Sequence, residues 1–142
     1  MAWWAGSIAF SVVVMKVAGR LPAHEGIVTM QSINTAAQTP WFMAALFGTG
    51  LASIVLGISA LFRLDEPASV YQLVGGSLYL VGLVVTIVHH VPRNEALPLV
   101  DPRAADAGGY WLRYLADWTA WNHLRTAVSV AAAATLATSL RF

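Results

Sequence analysis

Two stretches of the chain, Trp41 to Phe62 and Val70 to Val91, contain no Asp, Glu, Lys or Arg. A helix that crosses a bilayer needs about 20 consecutive, mostly apolar residues, and each stretch is long enough. Soluble domains carry about a quarter of their residues as charges. Here 11% of 142 residues are charged and 58% are hydrophobic, with a mean hydropathy of +0.65. These values exclude intrinsic disorder. A formal net charge of +1 leaves no basic footprint for a nucleic acid, and without cysteine there is no disulfide framework. The length suits one domain. What remains is a small integral membrane protein.

Two shorter apolar stretches complete the pattern. One covers about residues 3–18 and is interrupted by Lys16; the other, alanine-rich, covers about residues 124–141 and ends at Arg141. None of the four alternates with period two, so a β-barrel is not expected. The opening Met1-Ala2-Trp3-Trp4 has neither a basic region nor a small-residue cleavage site. It reads as the first helix, not a signal peptide. The expected fold is all-α: an integral membrane four-helix bundle forming a single transmembrane domain over residues 1–142. Its spans are expected at about 3–18, 41–62, 70–91 and 124–141.

The connections are unequal. That between the second and third spans is short, whereas Gly19 to Pro40 and Pro92 to Arg125 are long. With four spans both long connections lie on one membrane face, and each is expected to form an extra interfacial helix. Pro22 suits a first turn and Thr39-Pro40 an end, which gives a helix over about 22–38. Asp101-Pro102 and Gly108-Gly109 read as breakers, with a second loop helix over about 104–123 running into the fourth span. The long-loop face holds Lys16, Arg20, Arg93, Arg103, Arg113 and Arg125, against Arg63 and Arg141 opposite. The positive-inside rule then puts the long loops in the cytoplasm and both termini outside; the expected location is a bacterial inner membrane.

The few polar groups gather toward that same face. His24, His89, His90 and His123 are joined there by Lys16, Gln31, Asn34, Gln38, Asn94, Asp117, Asn122 and Arg125. Ionisable groups at membrane depth are costly and usually face a bundle interior or a cavity. Interfacial snorkelling and capping account equally for any one of them. Trp111, Trp118 and Arg125 recur every seven residues, and Asn122 lies beside the last two on a helix. Trp121, four residues before Arg125, is within cation–π reach of it, and Arg113 is within ion-pair reach of Asp117. Trp118 and Trp121 also fit an ordinary aromatic belt; Asn122 and Arg125 do not. Adjacent His89 and His90 diverge by about 100° on a helix. A metal site (copper, iron or zinc) would need one of them with His24 and His123, and no HExxH, HxH or CxxC spacing supports it.

Four segments carry a family resemblance: Met30-Gln31-Ser32-Ile33-Asn34, Pro40-Trp41-Phe42-Met43, Val91-Pro92-Arg93-Asn94-Glu95-Ala96-Leu97 and Trp118-Thr119-Ala120-Trp121-Asn122-His123-Leu124-Arg125-Thr126. In order and content they resemble the anthrone-oxygenase-like family of small four-helix membrane proteins. The resemblance implies oxidation of a phenolic aromatic substrate with dioxygen, without a bound redox cofactor. It also implies functional roles for Gln31, Asn34, Asn94, Asn122 and Arg125. His90 stands where relatives often carry asparagine, and Arg93 where they carry leucine. On this reading His123 or His90 is the base, Arg125 and Asn122 stabilise an oxyanion, and Asn34, Gln31, Asn94, Trp118 and Trp121 bind substrate. The expected partners are the lipid bilayer, a small aromatic substrate and dioxygen, and a homo-oligomer is compatible with them. Two alternatives stand beside it: a metal- or haem-dependent oxidoreductase using His24, His89, His90 or His123, and a non-catalytic membrane subunit or ligand-binding module.

Overall fold

The computed structural model describes residues 13–142, so most of the expected first span lies outside the described residues. Every regular element among them is helical. In chain order these are α1 (Met15–Ala18), α2 (Ala23–Ala37), α3 (Pro40–Leu61) and α4 (Pro67–Val85). A π-helical turn (Thr86–His90), α5 (Val91–Ala96), a 3₁₀ turn (Leu97–Leu99) and α6 (Ala107–Ser139) follow.

Local chemistry sets the boundaries. Thr39 caps α3: its hydroxyl accepts the Phe42 N–H at 3.2 Å, and Pro40 fills the first helical position, where no N–H is needed. Pro67 opens α4 in the same way. Between them Arg63 bonds back to the Ser59 hydroxyl at 2.9 Å and forward to Glu66 at 3.4 Å, which tightens the short connection.

Two expected breaks are absent. The helix does not stop at Val91-Pro92. Proline lacks the N–H that an α-helix would use there and crowds the preceding turn, and the chain answers with the wider π turn just before it. Gly108 and Gly109 likewise lie inside the first turn of α6, where the backbone N–H groups have no helical partner in any case. As expected, the second loop helix runs on without a break into the alanine-rich stretch, as one helix of 33 residues, about 50 Å long at 1.5 Å per residue.

α3 and the run Pro67–Leu99 are the two described helical stretches long and apolar enough to cross a membrane. Only 22% of each apolar window is buried within the protein, whereas the core helix of a soluble protein is mostly buried. Leu51, Ile54, Val55 and Ile58 of α3 and Val74, Val81 and Val84 of α4 all point outward. Apolar faces left outside match a bilayer as solvent.

α4 packs between α3 and α6. The approach is close enough that a Cβ on Gly75 would lie 2.6 Å from the Leu136 side chain of α6. At one end of this layer α2 lies against the N-terminal half of α6. Ile27, Met30, Leu97, Trp111, Tyr114 and Trp118 form the buried cluster there. Gly26 is the contact point: a Cβ on it would fall 2.6 Å from the Trp111 ring.

Candidate active site

The π turn positions the first functional side chain. His90 is 2% exposed, and its Nδ1 lies 3.4 Å from the Val85 carbonyl oxygen. A proton on Nδ1 serves that carbonyl and leaves the lone pair on Nε2. Nε2 is itself buried and has no hydrogen-bond partner. The Trp118 ring meets the imidazole edge-on at 4.8 Å, which fixes its plane. Short π segments inside α-helices recur at functional sites, and here the wide turn carries the buried histidine.

Asn94 comes from α5, one turn further on. Its Oδ1 accepts from the Tyr114 hydroxyl and from the Trp118 indole N–H, each at 3.1 Å. Burial pushes the Tyr114 phenol up to about 12, so it stays a donor across the physiological range. Two donors on one oxygen settle which way the amide faces and turn its N–H₂ end outward from them. α2 supplies Asn34, 6% exposed, whose side chain faces the Tyr114 hydroxyl and whose buried Nδ2 makes no hydrogen bond. α6 supplies Arg125. Its Nη2 donates to Asn122 Oδ1, its guanidinium lies 6.0 Å from the Trp118 ring centre, and its Nε is buried and unpartnered.

Asn34, His90, Asn94, Trp118 and Arg125 line one cavity of about 130 Å³. Phe42, Leu46, Phe47 and Ile87 form its apolar wall. Buried polar atoms are normally satisfied. Among the described residues seven side-chain atoms are not, and three of them, one suited to accept and two to donate, belong to residues that line this one cavity. This set can take a ligand that gives up a proton while an oxygen on it gains charge.

Other expected site residues lie elsewhere. Gln31 donates to the Leu97 and Val100 carbonyls at 3.0 and 3.3 Å, closing the end of the 3₁₀ turn, and does not line the cavity. Trp121 stacks on His89 at 3.4 Å, away from the cavity, so the ring over Arg125 is Trp118's and not Trp121's. His123 is exposed, because it follows Asn122 by one helical step of about 100° and Asn122 is the buried residue. Asp117 pairs with Arg93 across two elements at 3.5 Å, not with Arg113 on its own helix.

The four histidines do not converge. His24 is exposed beside Glu25, His89 lies on Trp121, His90 lines the cavity and His123 faces outward. Among the described residues no group of three or more His, Cys, Asp or Glu is placed to hold a metal ion. Sequence reasoning missed Tyr114. Its position four residues before Trp118, on the stripe that continues to Asn122 and Arg125, was the available signal.

Neither the curated proteins nor the solved structures contain a significant match to this chain. A family model described as anthrone oxygenase matches residues 39–135, a segment holding His90, Asn94, Trp118, Asn122 and Arg125 but neither Gln31 nor Asn34. That match spans more than half the sequence, and the chain belongs to the anthrone oxygenase family.

Proposed function

We propose that this protein is a four-span membrane oxygenase that oxidises a phenolic aromatic substrate with dioxygen. Its long connections face the cytoplasm of a bacterial cell. The observation that carries the reading is the buried, unpartnered Nε2 of His90 in the same cavity as the Arg125 guanidinium. In this reaction Nε2 takes the substrate proton. The negative charge that develops on the substrate oxygen is met by Arg125, with Asn34 and Asn94 as further donors. Asn122 holds the guanidinium, and Tyr114 and Trp118 orient Asn94.

The anion's electron pair passes to dioxygen at the carbon para to that oxygen, and a C–O bond forms there. Protonated His90 returns the proton to the peroxide. Loss of water breaks the O–O bond and leaves a carbonyl. The balance is substrate plus dioxygen to quinone plus water, with one oxygen atom in each product. The substrate supplies all the electrons. A positioned base contributes ~10²–10⁴ in rate, and one oxyanion donor ~10²–10³.

Oxygen consumption by the reconstituted protein tests this reading. His90→Ala is expected to lower phenol-dependent uptake by ~10²–10⁴ and Arg125→Ala by ~10²–10³. Wild-type uptake in both variants would refute it.

A further inference from the structure

The cavity's size limits what can reach Nε2. An apolar cavity of about 150 Å³ accepts benzene, and sites for drug-sized ligands run to about 300–1,000 Å³. The volume around His90 is about 130 Å³. That accommodates one six-membered ring. Three linearly fused rings with the reactive carbon in the middle ring would have to bury far more before that carbon met the imidazole. The wall on one side consists of Phe42, Phe47, Ile87 and Val91, all more than a third exposed and all apolar. A substituent on the ring can therefore lie along these side chains toward the lipid while the ring itself is enclosed.

We propose that the site takes a single-ring phenol with an open para position, and that any apolar substituent remains at the Phe42–Phe47–Ile87–Val91 mouth. Of the residues lining this cavity, His90 supplies an unpartnered acceptor, Nε2, to meet the ring hydroxyl, and the phenolate oxygen then faces Asn34 Nδ2 and Arg125 Nε. The chemistry rests on the oxygenase reading above; the size limit does not. The same balance applies: phenol plus dioxygen gives para-quinone plus water, the para C–H becoming C=O.

The test separates binding from turnover. Binding of ortho-cresol, alpha-naphthol and anthrone to the detergent-solubilised full chain is followed under argon by nitrogen NMR of isotope-labelled histidine, which reads hydrogen bonding at His90 Nε2. Affinity is expected to fall in that order, by about tenfold or more from cresol to anthrone. Leu46→Ala, which enlarges the cavity wall, narrows the ratio. If that variant does not fold, Phe47→Ala supplies the same arm. Anthrone binding as tightly as cresol to the wild type would overturn the proposal, as would no effect of any of the three on Nε2. Admitting air then tests the chemistry. The predicted ring-size order with no oxygen uptake leaves this inference standing and removes the oxygenase reading. Preferred binding and oxidation of anthrone does the reverse.

Discussion

One helix passes through two regions that are built differently. In its first half the inward residues of α6 are Ala107, Trp111, Tyr114, Trp118 and Asn122; in its second half they are Ala132 and Ser139. The first half packs under α2 with large aromatic rings and a network of hydrogen bonds. The second packs on α4 by close approach at Gly75, which meets the Leu136 side chain and the Ala132 carbonyl. Where water is the competing solvent, burying a large ring is strongly favourable. Where lipid is the competing solvent, apolar burial gains little, and helices associate through small residues that let backbones meet. Arg125 lies where one mode gives way to the other, and the cavity lies beside it.

This contrast can be tested by mutation. Trp111→Ala should cost about 3–5 kcal/mol of stability, whereas Val81→Ala on the outward face of α4 should stay within about 0.5 kcal/mol. Denaturation of both proteins in one detergent would measure this, and equal losses would break the distinction. Gly75→Leu should cost about 1–3 kcal/mol by overpacking against Leu136, although its side chain is more apolar. A gain in stability there would mean that backbone approach is not what holds that half together.

Smaller effects sharpen the polar end. Tyr114→Phe removes one hydrogen bond to Asn94 and should cost about 1 kcal/mol. The phenol's ordinary value of 10.0 is raised by burial to about 12. Below pH 10 the group is protonated whether folded or unfolded, and its contribution is complete. Between pH 10 and about 12 the unfolded chain loses the proton first, so the wild type loses stability as pH rises. The phenylalanine variant should show a shallower alkaline decline, measured as melting temperature against pH. His123→Ala is the smallest expected change, within about 0.5 kcal/mol in stability and without effect on turnover. A large loss of turnover would return His123 to the site.

The sequence made some of this legible and hid the rest for physical reasons. The seven-residue spacing of Trp111, Trp118 and Arg125 pointed to one face, and all three do turn inward or toward the cavity. Helical spacing also suggested Arg113 with Asp117 and Trp121 with Arg125. Both assignments failed because a partner on another element lay closer: Arg93 for Asp117 and His89 for Trp121. Gln31 looked like a ligand donor, but the Leu97 and Val100 carbonyls at the 3₁₀ turn take its amide. A pattern along one helix cannot report what a second helix presents to it.

Composition and periodicity by themselves determined that the chain is helical, that two runs can span a membrane, and that its polar residues gather at one end. Those properties depend on local propensity and on hydropathy summed over a window, and both are written in the sequence. Which histidine is enclosed was decided only by tertiary structure. His89 and His90 are chemically identical and adjacent. One extra residue in the turn before Pro92 rotates His90 inward, against Val85 and Trp118, and leaves His89 on Trp121. A rotation of about 100° per residue is invisible to composition, yet it separates a buried base from a stacking surface.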